Sequence, residues 1–373
     1  MAIISGCMTA HLRPRNSRYI LYDYLQIAGG AERLSLSFAA GFPEYRLVVS
    51  RIFPDAAVLT AGNPLPVSCI GNPVTAMLGR IPEAIWCFRH STRFLRNAEA
   101  VLYSGFYAPL AVANQQSGRK VYYCHTPPRY AYDLAEPYRQ RVNPLLLPAF
   151  DAGLNWLRGE YEQALGQMDK VIANSANVQQ RLKNFIGTES EVIFPPVDVD
   201  LFRWLGEGDY FISPARLSRS KRVDVIIRAF LKMPDKKLVV LSGGQEMEAL
   251  RKLAGNAGNI HFTGWQSEAE IRQWIGNARA AIYVPIDEDF GMSPVEAMAA
   301  GKPVIGVAEG GLLETIVDGE TGWLLESPPS VDNLVGAVQR IDRSMALAMR
   351  EACETRARLF SREIFMEKMK AVL

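Results

Sequence analysis

Short runs of apolar and β-branched residues alternate along the chain with stretches of helical periodicity. The runs cover 19–24, 45–50, 100–103, 121–124, 171–173 and 191–194 in the first half, and 210–213, 237–242, 260–262, 280–284 and 304–307 in the second. Strands separated by helices form βαβ units, in which the strands run parallel. The pattern therefore predicts an α/β protein built on parallel sheets.

The predicted strands are too numerous for one doubly wound domain of usual size, and a natural break follows Pro195-Pro196. We predict a Rossmann-like domain over 1–196, a linker over 197–209 and a second Rossmann-like domain over 210–360. The final stretch, 361–373, is helix-like and is expected to return towards the first domain. Ligands of α/β sheets bind at the carboxyl ends of the strands, so we expect the two sheets to face each other across a cleft.

The chain has 373 residues, of which 49% are hydrophobic and 21% charged, enough apolar material for two packed cores. Its formal net charge of +2 does not favour a nucleic-acid-binding protein, since that class shows a basic excess. The scattered cysteines Cys7, Cys69, Cys87, Cys124 and Cys353 predict free thiols in a reducing compartment. The sequence shows neither a spanning apolar run nor a secretory signal pattern, so we expect a cytoplasmic protein.

The segment from Glu288 to Glu296, EDFGMSPVE, lies between a predicted strand and a helix predicted over 294–300. One interpretation is structural: Ser293 is the N-cap of the helix and Glu296 completes a capping box. The other is functional: two carboxylates and free N–H groups at a helix N-terminus suit the hydroxyls of a sugar and a phosphate. The strand–loop–helix setting favours the functional interpretation.

A basic loop, ARLSRSKRVD at 215–224, follows the first strand of the second domain. Arginine offers a bidentate fork to phosphate oxygens, and lysine offers a point charge. Taken alone, the loop is equally consistent with a solvated basic turn. Beside the carboxylate loop we favour a diphosphate clamp formed by Arg216 and Lys221, with Arg219 and Arg222 exposed to solvent.

Three further motifs lie where a predicted strand ends. Gly29-Gly30 and Gly310-Gly311 each precede a predicted helix, where a glycine pair either allows a phosphate or sugar to approach the backbone or forms a plain turn. His125 directly follows the predicted strand at 121–124, and a rigid Pro-Pro comes two residues later. A lone histidine is more often structural, but this position favours contact with a ligand.

Other catalytic signatures are absent from the sequence, which has no GxSxG elbow and no Walker A loop. The acidic triplets at 287–289 and 198–200 superficially offer DxD metal sites. Short acidic triplets are common, however, and we expect no catalytic metal.

In this order, the motifs resemble the GT-B nucleotide-sugar transferases of glycosyltransferase family 4. The resemblance covers nearly the whole chain and is based on GGAE at 29–32, PVD at 196–198, RL…KRVD at 216–224, the Glu-x7-Glu loop at 288–296 and DGETG at 318–322. The segment HTPPRYAYD at 125–133 is most similar to a bacterial polysaccharide subgroup that includes O-antigen mannosyltransferases. Residues 1–18 fall outside the family pattern.

The resemblance implies a role for each matching residue. Arg216 and Lys221 would hold the donor diphosphate, while Glu296 would bind the nucleotide ribose and Glu288 a hydroxyl of the donor sugar. His125 would contact the transferred sugar. The other donor-side candidates are Phe290, Gly291, Met292, Ser293, Gly29, Gly30 and Trp265, the last of these for the base pocket, and the acceptor-side candidates are Arg129 and Tyr130.

The function implied by the resemblance is a retaining transfer of a hexose, best described as mannose from GDP-mannose, to a lipid-linked or growing bacterial surface glycan. Three alternatives stay open: transfer from a UDP-sugar, a nonhydrolysing nucleotide-sugar epimerase, and a catalytically inert nucleotide-sugar-binding module. The nucleotide-sugar is a substrate, so the resemblance implies no cofactor and no metal.

A lipid-linked acceptor implies peripheral contact with the inner face of the cytoplasmic membrane. The segment EAIWCFRHSTRFLR at 83–96 mixes aromatic and basic side chains, as helices that bind membrane surfaces do. It is equally consistent with a helix that has one core face and one solvated face. The apolar stretch at 143–157 is the second candidate for membrane contact.

Overall fold

The computed structural model describes residues 17–26, 29–56, 65 and 67–373. Contacts divide the chain into two compact units, and the second unit is Phe194–Phe365. The first unit runs to Ile193 and also includes Met366–Leu373. The segment 197–209, considered above as a linker, therefore lies within the second unit, and the end of the chain belongs to the first.

The first unit contains a parallel sheet. Its described strands are β1 (Arg18–Tyr22), β2 (Arg46–Val49), β3 (Val67–Cys69), β4 (Ala100–Ser104), β5 (Arg119–Cys124), β6 (Lys170–Ala173) and β7 (Glu191–Val192). Their order is β3-β2-β1-β4-β5-β6-β7, and neighbouring strands are parallel. Strands β1, β4 and β5 are largely buried, as expected for near-continuous apolar runs inside a parallel sheet.

Helices connect these strands. The described α-helices of the first unit are α1 (Gly30–Gly41), α2 (Pro73–Ala76), α3 (Arg80–His90), α4 (Ala135–Arg139), α5 (Leu147–Leu165) and α6 (Ala176–Ile186). The ends of α6 show why the sequence folds this way. The Ser175 side chain accepts the N–H of Val178 at 3.0 Å and caps the start, and Gly187 ends the helix in the left-handed conformation at φ 73°.

The second unit contains its own parallel sheet. Its strands are β8 (Tyr210–Ser213), β9 (Lys237–Leu241), β10 (Ile260–Gly264), β11 (Ala280–Ile282), β12 (Val304–Val307) and β13 (Gly322–Leu325). Their order is β10-β9-β8-β11-β12-β13, and neighbouring strands are again parallel. The order reverses between β8 and β11, which is where a sheet of this type opens a ligand crevice beyond its carboxyl edge.

The α-helices that follow are α7 (Val223–Leu231), α8 (Met247–Ala254), α9 (Glu268–Gly276), α10 (Met292–Ala299), α11 (Leu312–Thr315), α12 (Val331–Arg340), α13 (Arg343–Ala348), α14 (Arg350–Arg358) and α15 (Arg362–Val372). The core of the second unit combines the strand side chains with the buried faces of α7 to α12 and of α14. A reciprocal Ser267–Glu270 capping box fixes the start of α9.

The predicted α/β architecture with two parallel, Rossmann-like sheets is confirmed. Strands β3 and β13 were not predicted from the sequence. Both are short and lie at a sheet edge, where a strand needs neither a long apolar run nor a clear alternation.

Candidate active site

The loops that follow the strands of the second unit share one edge of its sheet. Because β8 pairs with β11 and β11 with β12, the basic loop, the Glu288 loop and the Gly310-Gly311 turn are neighbours. Backbone hydrogen bonds join them: the N–H of Ile286 donates to Ser220 O at 2.7 Å, and the N–H of Gly311 donates to Glu288 O at 2.8 Å. Strand order thus brings together motifs that lie far apart in the sequence.

Lys221, Glu288 and Tyr283 form a closed triangle of polar groups at this edge. The Lys221 ammonium forms an ion pair with the Glu288 carboxylate, and it donates to the Tyr283 hydroxyl with 2.9 Å between Nζ and Oη. The Tyr283 hydroxyl in turn hydrogen-bonds Glu288. The ammonium also lies 5.3 Å from the centroid of the tyrosine ring. The structure therefore joins two predicted site residues through a third.

Tyr283 is a site residue that the sequence analysis missed. It is buried and directly follows β11, so its position looks like one more apolar strand position. Burial raises the pKa of its hydroxyl well above the usual value, and the negative charge of Glu288 raises that pKa further. The phenol is therefore protonated at neutral pH and donates a hydrogen bond to the carboxylate. The sequence feature that could have identified it is the hydroxyl of a tyrosine in the otherwise aliphatic run at 280–284.

Arg222 and Glu309 form a second bridge between loops. Arg222 Nη1 lies 2.7 Å from Glu309 Oε1 and 3.2 Å from Pro285 O. The other Glu309 carboxylate oxygen accepts the N–H of Asp287 at 2.9 Å. The Arg222 and Glu309 side chains are only 17% and 13% exposed. The prediction that Arg222 is solvated is therefore wrong, because strand order brings Glu309 within its reach.

The environment of Glu309 favours its charged form. Burial by itself raises the pKa of this carboxyl, but hydrogen bonds from Ser327, Arg222 and the N–H of Asp287 outweigh burial and lower the pKa below its ordinary value. Arg222 has a left-handed backbone at φ 50° where the turn Arg219–Lys221 meets α7. The ion pair thus anchors the end of the loop that contains Lys221.

The other two cations of the basic loop, Arg216 and Arg219, are exposed. Arg219 is 86% exposed, and its Nε lies 3.9 Å from a Glu246 oxygen, so it is solvated as predicted. Among the residues that the structure describes, Arg216 has no side-chain hydrogen bond or ion pair. Its guanidinium is therefore available to an anionic ligand at the carboxyl edge of β8.

Helix α10, at the centre of the site, begins earlier than predicted. It starts at Met292, with Gly291 as its N-cap at φ 91°, a conformation that glycine adopts without a Cβ penalty. Ser293 lies within the first turn and is not the N-cap, so the alternative interpretation of Ser293 and Glu296 as a capping box is wrong. Glu296 is partly buried on α10, close enough to Tyr283 for its negative charge to raise the pKa of that phenol.

Donor contacts of residues 290–292 stay a prediction, and at Phe290 they would have to come from the backbone. The Phe290 ring is buried in the core, with its centroid 5.6 Å from that of Phe194 and 5.3 Å from that of Phe360. The backbone packs just as closely: a Cβ added to Gly311 would lie 2.4 Å from Phe290 Cα. Glycine at 311 is therefore required for the two loops to approach each other.

Trp265, the candidate for the base pocket, follows β10 and is 71% exposed. A Cβ added to Gly243 would come within 2.6 Å of its Nε1, so the indole lies against the glycine turn that follows β9. An exposed indole at the ligand edge of the sheet is suited to stacking on a base. Its contact with a base stays a prediction.

His125 directly follows β5 at the carboxyl edge of the first sheet. Its Nε2 lies 2.7 Å from Ser104 Oγ, at the end of the neighbouring strand β4. The rings of Tyr22 and Tyr123 have centroids 6.1 and 5.5 Å from that of the imidazole. Burial lowers the pKa of His125 to about 4, so the ring is neutral at pH 7. A neutral imidazole offers polar ligands one donor and one acceptor, and its contact with a sugar stays a prediction.

Asp23, which follows β1, is a second residue of interest that the sequence analysis missed. Its buried carboxylate accepts the N–H groups of Phe106, Tyr107 and Ala108 at 2.6, 2.7 and 2.8 Å. Burial raises the pKa of Asp23 to about 6, although these hydrogen bonds oppose the increase. The role of Asp23 in the unit is to fix the turn that follows β4.

The remaining candidates of the first unit lie on two loops. Gly29 is the N-cap of α1 and Gly30 its first residue, so the glycine pair does precede a helix. Arg129 forms an ion pair with Asp133, with 2.6 Å between Nη2 and Oδ2. The Tyr130 hydroxyl lies 2.8 Å from that of Tyr107. Both acceptor-side candidates thus have partners within the unit, and their contact with an acceptor stays a prediction.

Two further findings apply to the described part of the chain. Within it, no group of three or more His, Cys, Asp or Glu side chains is arranged to hold a metal ion. None of its helices combines the length and the apolar character needed to cross a bilayer.

Solved structures share this two-sheet architecture. Anabaena Alr3699/HepE, crystallised with UDP, superposes with a TM-score of 0.71 at 16% identity, covering 95% of this chain and 98% of that one. WaaG, a glycosyltransferase involved in lipopolysaccharide biosynthesis, superposes with a TM-score of 0.71 at 17% identity, covering 94% of this chain and 98% of that one. These likenesses show the fold.

The sequence of the second unit matches a protein family. Residues 203–360 match the family described as "Glycosyl transferases group 1". This segment, less than half of the chain, contains the basic loop, the Glu288 loop and the Gly310-Gly311 turn. The chain is a glycosyltransferase of the GT-B type. The resemblance drawn from the sequence motifs is thereby confirmed at this level.

A relative of this glycosyltransferase matches both units. The alpha-1,3/1,6-mannosyltransferase ALG2 of Dictyostelium discoideum is 28% identical over 386 residues, which cover 86% of this chain and 88% of that protein. The similarity therefore extends beyond the matched family segment to most of the glycosyltransferase.

Proposed function

We propose that this glycosyltransferase moves a hexose, with retention of configuration, from a nucleotide-sugar to a lipid-linked or growing bacterial surface glycan. The proposal depends on one observation, the assembly of loops at the carboxyl edge of the second sheet. There Lys221 contacts Glu288, Arg216 is exposed on the same basic loop, and Glu296 lies on the helix that follows the Glu288 loop. Cations suited to a diphosphate and carboxylates suited to sugar hydroxyls are thus on neighbouring loops.

GDP-mannose is the donor that we favour. The Dictyostelium relative is named a mannosyltransferase, which supports mannose as the sugar. The involvement of WaaG in lipopolysaccharide biosynthesis supports a bacterial surface glycan as the product. Because Anabaena HepE was crystallised with UDP, a UDP-sugar is the alternative donor.

In this proposal Arg216 and Lys221 bind the donor diphosphate, Glu296 binds the ribose, and Glu288 binds a hydroxyl of the donor sugar. The backbone of the segment 290–293 completes the donor site. The remaining proposed contacts are Trp265 with the base, Gly29 and Gly30 with the phosphate side, His125 with the transferred sugar, and Arg129 and Tyr130 with the acceptor.

The proposed reaction exchanges two bonds on the same face of the sugar. The bond from the anomeric carbon to the β-phosphate oxygen breaks, the acceptor oxygen bonds to that carbon, and the departing phosphate takes the proton of the acceptor hydroxyl. Arg216 and Lys221, rather than a metal ion, stabilise the negative charge that develops on the leaving diphosphate. Detection of a covalent glycosyl-enzyme adduct would contradict this step.

We also propose peripheral association of the first unit with an anionic membrane surface. The residues that support this proposal are not the aromatic ones of the segment 83–96. Phe88, within the segment 83–96, is buried in the core, and Phe94 is partly buried against that core. Two of the three aromatic side chains of this segment therefore pack against the core, and the third, Trp86, is 42% exposed. Exposed apolar side chains lie just before α3 and α5 instead, with Met77 86% exposed and Leu145 89% exposed. Together with exposed arginines, such side chains suit a lipid surface.

A thermal-shift panel of GDP, UDP, ADP and their sugars tests the proposal. A ligand that binds the native state raises its stability, so we expect GDP and GDP-mannose to raise the unfolding temperature most. A larger shift with UDP and its sugars would assign the alternative donor. The absence of any shift would contradict the proposal.

Product analysis with the preferred donor separates the classes of activity. Incubation with donor alone should leave the sugar unchanged, whereas an epimerase would convert it. Transfer should appear when a lipid-linked acceptor is added. Tight nucleotide binding without any turnover would instead indicate an inert binding module.

A further inference from the structure

The hydroxyl of Tyr283 needs an explanation that packing does not supply. The side chain is 5% exposed, and a phenylalanine would fill the same space without burying a polar atom. A buried hydroxyl is costly unless it is hydrogen-bonded. The partners of this hydroxyl are the ammonium of Lys221 and the carboxylate of Glu288. The hydroxyl therefore contacts two residues, Lys221 and Glu288, that we propose bind the donor.

The direction of the hydrogen bonds follows from charge. An ammonium can only donate, so Lys221 donates to both Tyr283 and Glu288. A carboxylate can only accept, so the phenol donates its single proton to Glu288. The Lys221 and Glu288 side chains are 20% and 21% exposed, which leaves both accessible to a ligand at the sheet edge.

We propose that Tyr283 is a positioning residue of the donor site, which holds the Lys221 ammonium for the donor β-phosphate and shares that ammonium with Glu288 until the donor binds. This inference rests on the proposed function. When the diphosphate arrives, Lys221 turns from Glu288 to the phosphate and keeps its hydrogen bond to Tyr283. Glu288 keeps the hydrogen bond from the phenol and turns its other lone pairs to a sugar hydroxyl.

The triangle lowers the cost of this exchange. Opening a simple Lys–Glu pair with a phosphate would take the counter-ion from a partly buried carboxylate, which is strongly unfavourable. With Tyr283 present, the phenol keeps a hydrogen bond to each of the two charged groups while their ion pair opens. Removal of the hydroxyl should therefore weaken the contact with the β-phosphate while leaving the contacts with the base, ribose and α-phosphate intact.

The experiment compares a nucleoside diphosphate with the monophosphate of the same base, GDP with GMP or UDP with UMP. Isothermal titration gives the two dissociation constants, and their ratio reports the contribution of the β-phosphate. We expect Tyr283→Phe to lower the diphosphate preference about fivefold to tenfold, the effect typical of the net loss of one hydrogen bond. The affinity for the monophosphate should stay the same, which also shows that the variant is folded.

Tyr210→Phe is the matched control. The Tyr210 hydroxyl donates to Trp274 O at 2.6 Å, at the amino end of β8 in the same unit. Loss of that hydroxyl should leave the diphosphate preference unchanged. If Tyr210→Phe lowers the preference as much as Tyr283→Phe does, the positioning role is overturned.

A double-mutant cycle tests whether Tyr283 acts through Lys221. In a Lys221→Met background, Tyr283→Phe should change the diphosphate preference less than about twofold. A persisting fivefold loss would overturn the positioning role, because the hydroxyl would then act without the lysine. If the native protein has no preference for the diphosphate, the proposed donor clamp itself fails. If the native protein has that preference and Tyr283→Phe retains it, only the present inference fails.

Discussion

Arg222 Nη1 and Glu309 Oε1 lie 2.7 Å apart, and this ion pair joins the loop that follows β8 to the loop that follows β12. Both side chains are mostly buried, so water and salt screen the pair poorly. Removal of one partner would leave the other charge buried without its counter-ion. The pair is therefore a structural anchor for the loop that holds Lys221.

We expect Arg222→Ala to lower the free energy of unfolding by about 3 kcal/mol, the cost typical of breaking a buried ion pair from one side. Chemical denaturation measures this change. Arg219→Ala is the control from the same loop, and because Arg219 is 86% exposed the expected change is within about 0.5 kcal/mol. Equal effects of the two substitutions would show that the pair with Glu309 is not an anchor.

His125 should make the stability of the first unit depend on pH. Burial lowers the pKa of His125 to about 4 in the folded protein, whereas an unfolded histidine titrates near pH 6.5. The unfolded state then binds the proton first, so stability is fully present above about pH 6.5 and is lost as the pH falls towards 4. The loss amounts to about 3 kcal/mol at most.

The pKa of Asp23 changes the pH dependence of stability in the opposite direction. The contribution of His125 is therefore measured as the difference between the native protein and His125→Gln. Burial raises the pKa of Asp23 to about 6, so the folded state takes up this proton before the unfolded state and stability rises as the pH falls from 6 to 4. We expect the stability difference between native protein and His125→Gln to shrink by about 2 kcal/mol between pH 7 and pH 4.5. His90→Gln, at the exposed end of α3, controls for the loss of a histidine. A difference that is constant with pH would contradict the buried neutral state of His125.

The sequence predicted the architecture because βαβ alternation is a local property. The basic loop, the Glu288 loop and the Gly310-Gly311 turn each follow the carboxyl end of a strand, since turn chemistry and apolar runs set that position locally. The contacts between motifs were not predictable in this way. Lys221 meets Tyr283, and Arg222 meets Glu309, only because β8 lies beside β11 and β11 beside β12.

At two places a local sequence pattern was consistent with a structure that the protein does not adopt. Ser293 and Glu296 have the spacing of a capping box, but Gly291 takes the left-handed conformation and starts α10 earlier. Phe88 belongs to an aromatic and basic segment, yet it packs into the core because its neighbours on the buried face of α3 do so. In both cases the fold decided between two local possibilities that the sequence left open.

Arg216→Ala should reduce turnover by about two to three orders of magnitude, the loss typical of a group that stabilises charge in the transition state. Its exposed position predicts little effect on the folded state, so the unfolding temperature should stay close to that of the native protein. Steady-state kinetics with the preferred donor measure the change, and Arg219→Ala is again the control. Near-normal turnover of Arg216→Ala would remove Arg216 from the donor site.

Turnover should be insensitive to removal of divalent cations. In the proposed reaction the positive charge that faces the leaving diphosphate comes from Arg216 and Lys221. We expect the same initial rate in buffer alone, with excess EDTA, and with EDTA followed by excess Mg²⁺. A rate that EDTA abolishes and Mg²⁺ restores would contradict the assignment of this role to the side chains.

Co-sedimentation with vesicles of phosphatidylcholine and phosphatidylglycerol at low salt should detect membrane binding by the first unit. Among the described residues of that unit, Met77 and Leu145 are the most exposed large apolar side chains, so Met77→Glu and Leu145→Glu should each reduce the bound fraction several-fold by placing a charge against lipid. The matched control is Leu313→Glu, at a 57% exposed leucine of the second unit, which should bind like the native protein. Binding should weaken as salt is raised, because the exposed arginines Arg80 and Arg141, near Met77 and Leu145 in the sequence, contribute electrostatically. If all three variants sediment like the native protein, contact with lipid lies elsewhere; if the native protein stays in solution, peripheral association is excluded under these conditions.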